Sequence, residues 1–308
     1  MLKRIIILTL AVILSSPSQG KTPYYKRYSL YTTLDTVLLK VNYLRTFKEC
    51  EGDEEYKNNI YELLLGEELS SFSASSFYYY REHPPKVIIE KAQASKDSML
   101  VYDLYGMKGM LSHYEEKHKI ICYKNYPEIG TFTLCTDIVG SPGFFYAYEE
   151  PLPVFDWQLE EGDSIVCGYP CSEATTTFRG RTWRVWYTLD IPYSDGPWKL
   201  GGLPGLILKA TDSKGDFDFT AIAIEEQHSK DEERNKITIR NIKYVNITPQ
   251  RYEQLLRLYY DNIIQYHTAL SGARIAEQLV QGQAKMGVPL IPEHKTPCLI
   301  EYYGDKKE

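Results

Sequence analysis

The sequence has 308 residues and a formal net charge of −6 at pH 7, from 35 basic and 41 acidic side chains. This balance argues against nucleic acid as a partner, because phosphate binding depends on clustered lysine and arginine. Tyrosine is abundant, with 27 residues, and β-branched and aromatic residues recur in short runs between turn-forming residues. Such a composition is typical of antiparallel strands, and it predicts an α+β fold dominated by β-structure.

Residues 1–20 have the three-part layout of a secretory signal peptide. Basic residues precede the apolar run Ile5–Leu14, and small residues up to Gly20 follow it. A bilayer-spanning helix needs about 20 apolar residues, so the run is too short for a permanent anchor. We therefore expect cleavage before Lys21, a single β-rich domain over residues 21–308, and no transmembrane segment after signal removal. The expected location is the periplasm, the outer membrane or the cell exterior.

Several short runs before residue 150 are strand candidates, since they are rich in aromatic and β-branched residues. These runs are Tyr28–Thr46, Tyr61–Leu65, Phe77–Tyr80, Lys119–Tyr123, Phe132–Ile138 and Phe144–Tyr148. Pro85–Ser95 is a candidate for a short helix.

The six cysteines all follow the predicted signal peptide, and an oxidising compartment would permit disulfides. Cys122 and Cys135 flank a turn and could face each other across a hairpin. Cys167 and Cys171 can pair only if the chain between them turns sharply, because a disulfide needs Cα atoms within about 7 Å. Buried free thiols are the alternative for both pairs.

Two hairpins are predicted in the second half of the chain. The first spans Ala174–Thr188 and turns at Arg179–Arg181, and both faces of its second strand carry aromatic residues, which favours a central or covered strand. The second joins Leu206–Ala210 to Phe217–Ala221 through Asp212–Gly215, where glycine suits the turn. Lys236–Val245 is a further strand candidate.

The best helix signal begins at Thr248, a residue type favoured as N-cap, followed by Pro249 at the first helical position. Apolar residues recur at spacings of three and four from Tyr252 to Tyr266. This period predicts an amphipathic helix. We expect its apolar stripe to pack on a sheet of the same domain.

Motifs for metal, nucleotide or nucleophilic chemistry are missing from the sequence. His113 and His118 are five residues apart, whereas helical zinc pairs are four apart. Gly201–Gly205 lacks the lysine and hydroxyl residue of a phosphate loop, and no Gly-x-Ser-x-Gly elbow occurs. We therefore predict no cofactor and no metal, and we find no catalytic constellation.

The hexapeptide Gly202–Ile207 reads Gly-Leu-Pro-Gly-Leu-Ile within the longer run Ser194–Ala210. With Glu150–Pro153, Gly168–Cys171, Phe178–Arg181 and Trp186–Thr188, it resembles the GLPGLI family of exported Bacteroidetes proteins. The resemblance is strong over Glu149–Glu225 and weaker at Tyr61–Gly66 and Pro297–Glu301, and Cys167 departs from the usual pattern. The resemblance implies an exported protein and no particular reaction.

The motif can be a specially shaped strand connection or part of a ligand site, and the first interpretation is favoured. The candidate binding or motif-loop residues are Arg179, Arg181, Trp186, Asp195, Trp198, Gly202, Leu203, Pro204 and Gly205. The order of elements is also similar to that of periplasmic lipoprotein carriers. That similarity implies a curved antiparallel sheet closed by the C-terminal amphipathic helix.

Two functional hypotheses follow. The first is a non-enzymatic envelope protein that binds an apolar ligand, a lipoprotein or an outer-membrane partner, because a curved aromatic sheet offers a concave pocket. The second is a secreted hydrolase, because Glu149, Glu150 and Asp156 could supply a carboxylate pair and Arg179 and Arg181 could hold an anionic substrate. The hydrolase hypothesis predicts that one of these acids lies in a cleft, within reach of another acid or of an arginine.

Overall fold

The computed structural model describes residues 31–74, 118–138, 145–226, 235–262, 265–266 and 295–303. The predicted signal peptide, the strand candidate Phe77–Tyr80, the helix candidate Pro85–Ser95 and His113 lie outside the described residues. Within them, no helix is long and apolar enough to cross a membrane.

Fourteen strands and one helix make up the secondary structure of the described residues. In chain order the first seven strands are β1 (Tyr31–Thr36), β2 (Leu39–Phe47), β3 (Lys57–Leu65), β4 (Ser70–Ala74), β5 (His118–Lys124), β6 (Thr131–Ile138) and β7 (Tyr146–Pro151). The remaining elements are β8 (Gln158–Val166), β9 (Tyr169–Phe178), β10 (Arg181–Thr188), β11 (Leu206–Asp212), β12 (Phe217–Glu226), β13 (Lys236–Arg240), β14 (Val245–Asn246) and the helix α1 (Pro249–Asp261). The β-dominated fold is confirmed.

Twelve strands form one sheet in the order β14-β7-β6-β5-β4-β3-β2-β12-β11-β10-β9-β8, and β1 pairs with β13 in a separate ribbon. All neighbours are antiparallel except β14 and β7. Among the described strands, β14 and β8 are the two ends of the sheet and do not pair with each other, so this sheet is open.

The sheet is strongly curved. Strands β7 and β10 are eight steps apart in the sheet order, which would separate them by roughly 38 Å in a flat sheet at about 4.8 Å per step. Yet Arg179, in the turn before β10, lies 2.6 Å from Glu150 on β7. The two arms of the sheet must therefore bend toward each other around a shared concave face.

Alternation along the strands explains the main core. In β2 buried residues occupy every second position, and in β10 Trp183, Val185 and Tyr187 are buried while Arg184 is exposed. These side chains line the concave face with the aromatic residues of β3, β4 and β12. The ribbon β1–β13 covers part of the opposite face, where Ile237 packs with residues of β3, β5 and β6.

Both predicted hairpins are confirmed. The first is β9–β10, with Arg181 paired to Phe178 across the turn, and β10 lies between β9 and β11 as its two aromatic faces predicted. The second is β11–β12, in which Phe217 and Phe219 are buried and Asp218 is only partly so.

The helix prediction is confirmed at its start and shortened at its end. The Thr248 side chain accepts a hydrogen bond from the Arg251 amide at 3.1 Å, and Pro249 begins the helix. The predicted stripe ran to Tyr266; α1 ends at Asp261, but residues 265–266 are again helical, and the buried Tyr266 ring lies 5.2 Å from that of Tyr259. Its buried side chains pack with Tyr146 of β7 in a separate small cluster.

The predicted cysteine pairs do not form in the structure, where all six cysteines are free thiols. Cys122 and Cys135 do lie on adjacent strands, but Cys135 pairs with Ile121, one position away. Successive side chains of a strand point to opposite faces, so the two thiols are separated by the sheet. Cys171 is buried, whereas Cys167 is exposed in the β8–β9 turn.

Candidate functional site

The connection between β10 and β11 crosses the concave face and carries the motif Gly202–Ile207. Trp198, Leu200 and Leu203 are buried in the main core, and Trp198 adopts a positive φ of 53°. Their burial fixes the connection to the sheet. The interpretation of the motif as a shaped strand connection therefore accounts for most of its residues.

A buried lysine holds the start of this connection. Lys124 of β5 donates from Nζ to Asp195 at 2.5 Å, to the carbonyl of Gly196 at 2.9 Å and to that of Leu200 at 2.6 Å. Asp195 also accepts from the Ser70 hydroxyl at 2.6 Å. The predicted site residue Asp195 is thus fully engaged inside the protein.

The most concentrated group of charges surrounds Lys199, whose side chain is 0% exposed. Its ammonium contacts Glu150 and lies 2.5 Å from Glu301. Arg179 pairs with the same two acids, at 2.6 Å from Glu150 and 2.7 Å from Glu301. We call these four residues the Lys199 network, in which two positive and two negative charges balance.

Two tyrosines complete the Lys199 network. The Tyr303 hydroxyl accepts from Lys199 at 2.7 Å and donates to Glu150 at 3.0 Å. The Tyr148 hydroxyl donates to Glu301 at 3.2 Å. Because buried ions are tolerated only when paired and hydrogen-bonded, this arrangement keeps four charges inside the fold. It also fixes the C-terminal segment, which carries Glu301 and Tyr303, to the sheet.

Burial alone would raise the pKa of Glu150, but the hydrogen bond from Arg179 and the charge of Lys199 outweigh it and hold that pKa below its ordinary value. Burial raises the pKa of Tyr303 far above its ordinary value, with the charges of Glu301 and Glu150 adding to the effect. Glu150 is thus a carboxylate and Tyr303 a neutral hydroxyl. A glycosidase acid needs a raised pKa, so the state of Glu150 is opposite to that role.

This depressed pKa predicts acid sensitivity. A carboxyl whose pKa is lower when folded stabilises the protein above its unfolded pKa of about 4.3, and that stabilisation is lost as the pH falls through the folded value. We expect the unfolding free energy to decline below about pH 4.3. Denaturant unfolding across this range should show a shallower decline for Glu150→Gln. Equal declines in the unmodified protein and the variant would contradict a lowered pKa of Glu150.

The carboxylates of the hydrolase hypothesis are only partly brought together. Glu150 does lie beside an arginine and a second acid, Glu301, as that hypothesis required. Glu149 and Asp156 are exposed and outside the network. Glu150 therefore has the required neighbours, but it is buried and pairs with two cations, Arg179 and Lys199.

The predicted residues Arg181 and Trp186 lie elsewhere. Arg181 is buried, contacts Asp212, lies 3.0 Å from Asp216 and donates to the Leu299 carbonyl at 2.8 Å. It therefore fastens the C-terminal segment and is inaccessible to a substrate. Trp186 of β10 is half-buried, and the Lys209 ammonium lies 5.0 Å from its ring centre.

A cavity of about 100 Å³ opens beside the Lys199 network, between the end of β2, α1 and the C-terminal segment. Aromatic rings of Phe47, Trp198, Phe217 and Tyr252 line it. The charged lining residues include Arg45, Glu253 and Glu301. The cavity thus combines flat apolar surfaces with carboxylate acceptors.

Arg45 gives the cavity a buried cation. Its guanidinium lies 4.1 Å from the ring centre of Phe47 and 5.6 Å from that of Phe217, and it donates to the Tyr61 hydroxyl at 3.1 Å. Such cation–π contacts are stronger when desolvated. They hold the aromatic rings in place as rigid walls.

Most cavity residues were missed by the sequence analysis. Arg45, Tyr252 and Glu253 belong to strand and helix patterns that predict packing alone. Glu301 had a signal, because it ends the stretch Pro297–Glu301 in which the family resemblance reappears. Among the described residues, no cluster of three acidic, histidine or cysteine side chains is arranged to hold a metal ion.

Across the described residues, these features define an open, curved, mainly antiparallel β-protein whose concave face is covered by the β10–β11 connection, with an aromatic cavity beside its helix. Residues 155–250 match the family model of the N-terminal domain of peptide N-glycanase. No curated protein matches the chain significantly.

Several solved structures are similar to the chain at low identity. Two crystal structures of PNGF-II, in the P21 and C2 space groups, are 13% and 12% identical, each over 71% of this chain, with TM-scores of 0.44. The chain spans about a third of their length, 33% and 32%. The structure of MucB in complex with MucA(peri) is 10% identical over 65% of this chain and 55% of that chain, with a TM-score of 0.23.

Proposed function

We propose that this chain is an exported, non-enzymatic binding protein that takes a sugar-containing ligand into the cavity beside α1. The observation that carries the proposal is the mixed lining of that cavity, with aromatic rings beside carboxylates and a guanidinium. A sugar ring has apolar C–H faces that can lie on aromatic rings and hydroxyls that donate to carboxylates. A ligand site of this kind needs a few placed polar groups among apolar walls.

The matched family model supports a sugar as the ligand class, since it describes the N-terminal domain of a peptide N-glycanase. The ionised state of Glu150 supports binding over hydrolysis. Glu150 is held as a carboxylate by Arg179 and Lys199, and a hydrolase would need one acid ready to donate a proton. The proposal includes membership of the exported GLPGLI family and a location in the envelope or outside the cell.

The expected apolar ligand, lipoprotein or outer-membrane partner is the competing class for the same cavity. An acyl chain would gain from the aromatic walls but has no hydroxyl groups to donate to the carboxylates beside them. In our proposal α1 closes one side of the curved sheet and forms a wall of the cavity, through Tyr252 and Glu253. Both classes therefore compete for one site, which an experiment can resolve.

Filling the cavity tests the proposal. Ile120 lines the cavity and is half-buried, so Ile120→Trp should occupy its space. By calorimetric titration with an N-glycan oligosaccharide, we expect the variant to bind at least about tenfold more weakly than the unmodified protein, a loss of about 1.4 kcal/mol. Palmitate, titrated in parallel, should produce no saturable heat.

A matched substitution controls for the added tryptophan. Ile129 is 84% exposed, so Ile129→Trp should leave glycan affinity unchanged. Saturable binding of palmitate, without binding of the oligosaccharide, would show that the ligand is a lipid and not a sugar. Equal glycan affinity in both variants would place the site outside the cavity.

A further inference from the structure

Strand β8 forms one end of the twelve-stranded sheet. Six of its nine residues are exposed, and only Val166 is buried. Among the described residues, no strand pairs with its outer side. Its free edge is therefore a row of backbone groups that another strand could use.

The hairpin register shows which backbone groups point outward. The turn of Cys167 and Gly168 has φ values of 51° and 85°, as in a two-residue hairpin loop in which both residues have positive φ. Val166 and Tyr169 flank this loop and form a backbone hydrogen-bonded pair. Farther from the loop, hydrogen-bonded and non-hydrogen-bonded residue pairs alternate along β8 and β9. Ile165 accordingly faces Pro170 in a non-bonded pair, which suits a proline without an N–H.

The same alternation places Asp163, opposite Ser172, in a non-bonded pair. The N–H and C=O groups of residues in such pairs point away from the partner strand. Asp163 and Ile165 therefore present their backbone donors and acceptors to the outer side of β8. An added strand would find two residues ready for pairing.

The side chains of β8 select the kind of strand that could bind. Glu160, Glu161 and Asp163 are exposed, and no lysine or arginine of the described part of the chain forms an ion pair with them. Leu159 is 69% exposed and Ile165 77% exposed. The edge thus offers apolar contacts next to a concentration of negative charge.

Self-pairing is disfavoured by this charge. Two copies of β8 paired with each other would bring Glu160, Glu161 and Asp163 of both chains into one strand pair, and like charges that close are destabilising. A strand with lysine or arginine would instead gain opposite-charge contacts. Charge complementarity therefore favours a basic partner over a second copy.

We propose that the outer edge of β8 binds an extended, lysine- or arginine-bearing segment of another protein by strand addition. The segment pairs with the backbone of Asp163 and Ile165, places its basic side chains beside Glu160, Glu161 and Asp163, and covers Ile165 with an apolar residue. In strand addition, backbone hydrogen bonds supply affinity and side-chain contacts supply specificity.

A fluorescent peptide that alternates lysine, valine and threonine, as long as β8, is a direct probe. Its counterpart carries glutamate in place of lysine. By fluorescence anisotropy at low salt, we expect the lysine peptide to bind at least about tenfold more tightly, because several charge pairs of up to about 1 kcal/mol each change sign. The preference should shrink as salt is added. Equal binding of both peptides, or binding of neither, would overturn the proposal.

Two variants, each with a control variant, locate the site. Ile165→Pro removes an outward N–H while sparing the ladder to β9, so lysine-peptide binding should be lost, whereas Ile165→Ala should retain it in weakened form. Asp163→Lys should reduce the preference for the lysine peptide, because only Glu160 and Glu161 then remain, and Glu149→Lys, an exposed change on β7, should not. Normal binding by Ile165→Pro would place the peptide elsewhere. Glycan binding at the cavity should be unchanged in all four variants.

Discussion

Lys199→Ala is expected to lower the free energy of unfolding by about 3–5 kcal/mol, the cost of breaking a buried ion pair from one side. The substitution leaves Glu150 and Glu301 with only Arg179, so the buried group changes from balanced to negative. It also removes the donor to the Tyr303 hydroxyl. Denaturant unfolding at pH 7 measures the loss.

Two further substitutions separate charge from packing. Lys199→Met keeps most of the apolar stem, so it should be nearly as destabilising as the alanine variant if the charge dominates. Lys243 is exposed, and Lys243→Ala should change the unfolding free energy by less than about 0.5 kcal/mol. A stable Lys199→Met variant would show that the Lys199 network contributes little to folding.

Gly205→Ala is expected to destabilise the protein by about 3 kcal/mol or more, at the upper end of overpacking costs. An added Cβ would lie 2.0 Å from the Thr188 carbonyl oxygen and 2.7 Å from its carbon. Both are backbone atoms, in the strand β10 that precedes the connection, so they cannot move aside as a flexible side chain would. Thermal or denaturant unfolding would show the change.

Gly202 in the same motif provides the comparison. It has a positive φ of 85°, and the nearest neighbour of an added Cβ is the Trp157 indole nitrogen at 3.7 Å. Gly202→Ala should therefore strain the backbone without a steric clash, and it should destabilise the protein by about 1–2 kcal/mol. If Gly202→Ala proved the more damaging of the two, close packing at Gly205 would not explain the motif.

The two glycines therefore give the motif a physical explanation. Gly202 permits a turn, and Gly205 permits the connection to approach β10. Trp198 and Leu203 then fill the core, while Lys199 reaches the acids of β7 and the C-terminal segment. In the structure the motif lies in the connection between β10 and β11, and this connection packs against the concave face.

Local patterns predicted local structure well. The hairpins β9–β10 and β11–β12 and the start of α1 followed from alternation, turn residues and a cap. Strand β4 was missed because its serines lack a β-branched signature, and β8 because its acidic residues resemble a loop. In both strands, pairing to a neighbour outweighs weak intrinsic preference.

The site was harder to predict because it depends on distant parts of the chain. Lys199 meets Glu150 and Glu301 only because the sheet curves, and no spacing in the sequence indicates this. Arg179 and Arg181 are two residues apart, yet Arg179 joins the Lys199 network while Arg181 pairs with Asp212. Residue type alone could not separate these environments, since both are arginines beside one turn.

The proposed sugar site is tested most directly by hydrogen exchange, measured by mass spectrometry with and without a saturating N-glycan oligosaccharide. Binding in the cavity should slow exchange of the amides in residues 45–49, 252–260 and 297–303, which line it or lie between lining residues. The β8 edge should be unaffected. Unchanged exchange in these three segments at saturation, or protection confined to other parts of the chain, would contradict the proposed site.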